Sequence, residues 1–308
     1  MEHDALVGEQ LGAYRIQARL GEGGMAWVYK AYHERLRREA AIKVILPRKA
    51  NQADFQARFE QEAQVIARLQ HRNIITIYDF GQKNPLTYLA MQYVNGGTLR
   101  DQLSNRQPLE PHRAALYALQ MARALHHAHL HGIVHRDVKP ANMLISATNR
   151  NELLLSDFGI AKLFDRHQQA TFASSALAGK GNRHPNGYQI IGTPLYMAPE
   201  QITGQPVDAR TDVYALGVVL FEMLTGQVPF QADNRWGVYL QHVSTPPRSV
   251  RELNLAVPEA LERIVMQALA KAPQDRCQSA EEMAQALKAV LAPSSPRETS
   301  RYFLATSL

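Results

Sequence analysis

The strongest chemical signal in the chain is the run His135-Arg136-Asp137-Val138-Lys139-Pro140-Ala141-Asn142. Its five chemically distinctive residues, at about one in twenty each, would be met by chance ~10⁻⁴ times in a chain of this length. Asp157-Phe158-Gly159 follows fifteen residues after Asn142, and Ala198-Pro199-Glu200 comes later. The carboxylates of Asp137 and Asp157 and the amide of Asn142 could supply oxygens to a hard cation such as Mg²⁺. Pro140 breaks any helix there, so the run reads as a loop where polar side chains can converge.

Two weaker signals lie upstream. Gly21-Glu22-Gly23-Gly24-Met25-Ala26-Trp27-Val28 is a glycine turn between two strand-like segments. Such a turn lets backbone N–H groups approach phosphates, but it also makes an ordinary hairpin. Ala26 stands where a strict G-x-G-x-x-G pattern has its third glycine. The strand after the turn argues against a dinucleotide fold, which needs a helix there. Lys43 sits inside the apolar strand Ala40-Ala41-Ile42-Lys43-Val44, where alternation puts Ala41 and Lys43 on one face and Ile42 and Val44 on the other. A lysine so placed is costly to desolvate unless an anion meets it. Glu62, near the apolar face of a helix over residues 54–69, is one candidate; an edge-strand lysine and a solvated helix glutamate are the alternative.

The elements that must position these residues can be read from periodicity. Residues 14–45 read as strands around the glycine turn, and Ile74 to Phe80 and Leu86 to Val94 as two more, with Asn84-Pro85 turning between them. Phe55, Phe59, Ala63, Ile66 and Leu69 mark the one helix of this half. From Thr98 the texture becomes helical. Leu116, Leu119, Ala122, Leu125 and Ala128 stripe a helix from Pro111 to His131 that Gly132 stops, and 212–225, 258–271 and 280–291 are further helices. The shift near Gly96-Gly97 predicts a boundary between two lobes, and Pro293 to Leu308 reads as a Ser/Pro-containing tail or linker.

Composition sets outer bounds. Lys and Arg total 34 against 28 Asp and Glu, and 45% of the 308 residues are hydrophobic. That excludes a wholly disordered chain, and the single Cys277 excludes a disulfide scaffold and suits a reducing, cytoplasmic compartment. The longest uncharged apolar stretch, Val213 to Phe221, is half of a membrane span. No basic run is interleaved with aromatics, so nucleic acid is not an expected partner.

Taken in order, Gly21/Gly23, Lys43, Glu62, His135-Arg136-Asp137, Asn142, Asp157-Phe158-Gly159 and Ala198-Pro199-Glu200 resemble a eukaryotic-type protein kinase. Gly23-Gly24-Met25, Glu62-Ala63-Gln64, Asp137-Val138-Lys139-Pro140 and Gly192-Thr193-Pro194-Leu195-Tyr196 are similar in particular to bacterial eukaryotic-like (Hanks-type) serine/threonine kinases. The resemblance covers residues 13–291 and implies an α+β, two-lobed protein-kinase fold. Residues 14–92 would form a small β-rich N-lobe with one helix, and 93–291 a larger, mainly helical C-lobe. An extension (1–13) would precede them, an activation segment (157–200) would lie in the C-lobe, and the tail (292–308) would follow.

By that resemblance the chain transfers the γ-phosphoryl group of ATP to Ser/Thr hydroxyls of proteins, with self-phosphorylation. Lys43, positioned by Glu62, would hold the α/β-phosphates under the loop of Gly21, Glu22, Gly23 and Gly24. Asn142 and Asp157 would bind Mg²⁺, with Mn²⁺ as an alternative. Asp137 would orient the substrate hydroxyl, Lys139 would stabilise the transferring group, and Thr193 would hold both in register. Val28, Ala41 and Leu144 would sandwich the adenine, with Met91 as gatekeeper and Gln92 to Val94 as hinge. Glu200 and Arg276 match a buried ion pair, Asp212 a brace for the catalytic loop, and His135, Phe158 and Ile66 a stack linking the lobes.

Two departures from the family pattern stand out. Asn142 to Asp157 is about two residues longer than usual, through a wider turn at Asn149-Arg150-Asn151. The segment from Asp157 to Glu200 is long, and its nearest acceptors before Thr193 are Thr171, Ser174 and Ser175, whose phosphate Arg136 and Lys162 would receive. Homodimers or phosphorylation between copies are expected, as is a cytosolic setting even if the chain belongs to a membrane-anchored protein. A scaffold lacking catalysis would have lost Lys43 or a metal-binding aspartate, and a small-molecule phosphotransferase would not need the ledge of Thr193-Pro194 and Ala198-Pro199-Glu200.

Overall fold

The structure is a computed structural model that describes residues 6–22, 26–45, 61, 63–83, 86–158 and 194–292. Six strands form one antiparallel sheet: β1 (Gln10–Leu11), β2 (Tyr14–Glu22), β3 (Ala26–His33), β4 (Arg38–Ile45), β5 (Ile77–Lys83) and β6 (Leu86–Gln92). Their order is β1-β2-β3-β4-β6-β5, so β4 is an interior strand flanked by β3 and β6. Alternation works as expected along it. Ile42 and Val44 enter a core with Leu11, Tyr14, Ile16, Tyr29 and Tyr88, while Ala41 faces a second cluster with Met91. The strand expected from Ile74 starts only at Ile77, because Ile74 bridges to Leu155 in the other lobe. The strand expected to end at Val94 ends at Gln92. Residues 61 and 63–67 are helical (α1), and Ala63 and Ile66 are buried; residues 54–60 and 62 lie outside the described part.

Beyond the sheet the described chain is mainly helical: α2 (Leu99–Leu103), α3 (Pro111–Leu130), α4 (Pro199–Thr203), α5 (Ala209–Thr225), α6 (Arg235–Ser244), α7 (Val250–Leu253), α8 (Glu259–Ala268) and α9 (Ala280–Leu291). Local signals explain the ends. The Thr98 hydroxyl and the Asp101 carboxylate cap each other's backbone N–H groups at α2, and Glu110 caps α3 ahead of Pro111. Helix α5 is buried continuously from Thr211 to Leu224, which makes it the central post. At Gly217 it runs so close to α8 that a Cβ would meet the Ala268 Cβ at 2.7 Å. No helix among the described residues is long and apolar enough to cross a membrane.

The lobes meet at the strap after β6. A Cβ on Gly96 would meet the Ile145 carbonyl oxygen at 2.1 Å, so only glycine lets the strap lie against the hairpin below. That hairpin pairs β7 (Met143–Ile145) with β8 (Leu153–Leu155). Its wide turn is clamped to α3: the Tyr117 hydroxyl donates to the Arg150 carbonyl and the Gln120 amide to that of Asn151.

Candidate active site

The sheet supplies the upper wall of a cleft. On β4, Lys43 stands opposite Val28 of β3 and Leu89 of β6, and Ala41 stands opposite Met91. Ala41, Ile75, Met91 and Leu154 form a buried cluster against which Val28, Tyr93, Val94 and Leu144 pack. Five of the expected adenine-binding residues (Val28, Ala41, Met91, Val94 and Leu144) therefore meet in one apolar patch. Gln92 is held toward the sheet: its backbone N–H and side-chain oxygen bond the carbonyl and N–H of Thr76. Gly21 and Glu22 end β2, with the Glu22 carboxylate taken by Arg19 at 2.9 Å. Gly23 and Gly24 lie outside the described residues.

Lys43 does not stay unpaired. Its ammonium donates to Asp157 Oδ1 at 2.7 Å across the cleft. The expected partner Glu62 lies outside the described residues. Asp157 adopts φ of 60°, and Arg136 adopts φ of 63°. Non-glycine residues in this left-handed region carry strain that their surroundings must hold in place.

The lower wall is the loop of residues 135–142. Lys139 Nζ donates to Asp137 Oδ2 at 2.7 Å, and Asn142 Nδ2 donates to the Asp137 carbonyl at 2.8 Å and to its Oδ2 at 3.2 Å. With Asn142 Nδ2 engaged there, its amide oxygen is left for another partner. Asp212 braces this loop from α5: its two oxygens accept the backbone N–H groups of His135 and Arg136, each at 2.8 Å. The His135 ring is fully buried, receives the Asp137 N–H on Nδ1 and donates from Nε2 to the Ser156 carbonyl. That pattern fixes a neutral tautomer, and burial pushes its pKa below the ordinary histidine value. His135 and Phe158 rings lie 4.7 Å apart, with Ile66 in the same core.

Below, Arg276 makes a bidentate pair with Glu200 at 2.8 and 2.9 Å, and Thr211 donates to the same carboxylate at 2.7 Å. Burial alone would raise the Glu200 pKa; the bonds from Arg276 and Thr211 outweigh it and hold the carboxyl below its ordinary value. Thr193, Thr171, Ser174, Ser175 and Lys162 lie outside the described residues. Three groups that sequence reasoning missed also serve the loop. His129 Nε2 donates to Asp212 at 2.8 Å, Ser156 receives His135, and Gln201 Nε2 donates to the Arg136 carbonyl at 3.0 Å. Residue type and local spacing signal none of these partnerships.

Among the described residues no group of three or more His, Cys, Asp or Glu could hold a metal alone. Two hard oxygen donors, Asp157 and the free amide oxygen of Asn142, fit a cation that also takes phosphate oxygens.

The chain can now be set beside known proteins. The protein kinase domain family matches residues 14–288. Serine/threonine-protein kinase PknB of Mycolicibacterium smegmatis is 42% identical over 274 residues, 88% of this chain and 41% of the relative. PrkC of Bacillus subtilis is 38% identical over 279 residues, 90% of this chain and 40% of the relative. The chain thus spans about two fifths of the length of these relatives. The crystal structure of the Mycobacterium tuberculosis PknI kinase domain is 28% identical and covers 93% of this chain, which covers 99% of it, with a TM-score of 0.68. Rad53 residues 1–466 in complex with AMP-PNP, at 22% identity, shares the fold with a TM-score of 0.71, over 88% of this chain and 64% of that one. Sequence and architecture agree, and the chain belongs to the protein kinase domain family.

Proposed function

We propose that the chain is a serine/threonine protein kinase that uses ATP with Mg²⁺, or with Mn²⁺ in its place. The observation that carries this reading is the cleft itself. Lys43 and Asp157 pair at 2.7 Å on one side of it, and Asp137, Lys139 and Asn142 are bonded together on the other. A γ-phosphoryl transfer needs cationic anchoring of phosphates, an oxygen-ligated metal and a carboxylate facing the acceptor hydroxyl.

The apolar patch of Val28, Ala41, Met91 and Leu144 takes the adenine ring, and backbone groups of Gln92 to Val94 meet its edge. Lys43 anchors phosphate oxygens, sharing its ammonium between them and Asp157 or Glu62. Asp157 and Asn142 would hold the divalent cation, which would neutralise charge developing on the phosphates. Asp137 orients the acceptor hydroxyl and takes its proton late. Lys139, held at 2.7 Å from Asp137, steadies the transferring group from the same side. Protein Ser/Thr hydroxyls are the acceptors, and Thr171, Ser174 or Ser175 of the chain itself is among them.

The test is transfer of γ-phosphate to a Ser/Thr peptide library, with intact-mass readout of the chain itself. Transfer that depends on Asp137 and on added Mg²⁺ supports the reading. Nucleotide binding with no transfer under any divalent cation overturns it.

A further inference from the structure

Among the hydrogen bonds that hold the backbone around Asp137, four come from Asp212 or from the loop itself. The N–H groups of His135 and Arg136 bond Asp212, the Asp137 N–H bonds His135 Nδ1, and the Asp137 carbonyl receives Asn142 Nδ2. Another comes from further away. Gln201 Nε2 reaches 65 positions along the sequence to the Arg136 carbonyl at 3.0 Å, which is one half of the peptide unit that leads into Asp137. Arg136 is the strained residue of this loop, at φ of 63°. A strained peptide persists when its surroundings over-determine it, and losing a donor to its carbonyl would loosen that hold.

The other end of the Gln201 side chain is equally engaged. Its Oε1 accepts the Ala198 N–H at 3.0 Å. A backbone N–H can only donate and a carbonyl only accept, so the amide has one orientation that satisfies both. Capping α4 would need the Oε1 half alone. The Nε2 bond is additional, and it ties the Ala198-Pro199-Glu200 segment, itself clamped by Arg276, to the loop carrying Asp137.

We propose that Gln201 is a positioning residue for phosphotransfer: it fixes the Arg136–Asp137 peptide and so sets where the Asp137 carboxylate points. This rests on the role of Asp137 proposed above. It makes the placement of the segment after Thr193 legible to the acceptor site through one amide.

Two substitutions separate the halves. Gln201→Glu keeps an oxygen for the Ala198 N–H but sets a second oxygen against the Arg136 carbonyl; Gln201→Met removes both bonds. Loss of one such bond is expected to lower kcat about tenfold in both variants. KM for ATP should stay within about twofold, because no nucleotide contact is touched. Amide hydrogen exchange of peptides spanning 135–142 should quicken in both, while those of 209–225 stay protected. A Gln201→Glu protein with unchanged kcat reduces Gln201 to a helix cap and overturns the proposal, as does unchanged exchange of 135–142 in both variants. An inactive parent chain would refute the kinase reading instead, and the exchange measurement would still decide whether Gln201 holds the loop.

Discussion

The two walls of the cleft hold their charged groups in opposite ways. Lys43 projects from a sheet and is paired across open space with Asp157; their side chains are 15% and 35% exposed. Asp137 sits over a foundation in which Asp212 is 0% exposed and accepts three donors, and Arg276 and Glu200 are equally enclosed. In the proposed reaction the upper pair would exchange partners when phosphates and a cation arrive. The lower network cannot, because each buried charge would be left without its counterpart. On the proposed function, electrostatics that must change lie near water, and electrostatics that must stay constant lie in the core.

The most severe break of this contrast is at the mobile charges. Asp157→Asn is expected to lower phosphotransfer by about 10³-fold or more, and Lys43→Met by about 10²-fold. Both proteins should melt within a few degrees of the parent, and chelation of divalent cations should stop transfer reversibly with the fold intact. A large loss of melting temperature in either would mean that the upper pair is structural after all.

Arg276→Met inverts the pattern. It strands the Glu200 carboxylate in the core and should cost about 3–5 kcal/mol in urea unfolding. No such loss is expected for Lys43→Met; equal costs would erase the distinction.

Acid should loosen the lower wall next. His135 and His242 are both fully buried, and burial pushes their pKa values down, that of His242 to about 3. Unfolded imidazoles bind protons below about pH 6.5 while the folded ones stay neutral, so stability is present above that pH and falls below it. Between pH 6.5 and 5.5 the two together should remove about 2 kcal/mol of unfolding free energy, and His242→Asn should lessen that slope. His71 and His127 shift the same way, chiefly through burial and then neighbouring cationic or histidine side chains.

The smallest effect belongs to a charge pair with no part in either wall. Arg263 and Glu259 are 67% and 66% exposed, one helical turn apart. Arg263→Ala should change unfolding free energy by under about 0.5 kcal/mol, and a larger loss would show that exposure alone does not rank these pairs.

Much of this molecule is legible in its residues because the signals are local. Helix α9 is found over the very span expected, since Ser279 caps it and its apolar residues recur at helical steps. Helix α6 escapes the same reading although Asn234 caps it, because Trp236 and Leu240 face outward and blur the apolar stripe. Strand β5 starts late because Ile74 has a partner, Leu155, that lies far along the chain. Residue types and spacing determined the polar loop of residues 135–142, the strand lysine and the two-lobed architecture, since each is a short motif or a periodicity. Only the tertiary structure decided that Lys43 meets Asp157, that His129 joins Asp212 and that Gln201 reaches Arg136, across 114, 83 and 65 positions. A polar side chain carries no mark of which distant group will satisfy it; that choice belongs to the packing that brings the two together.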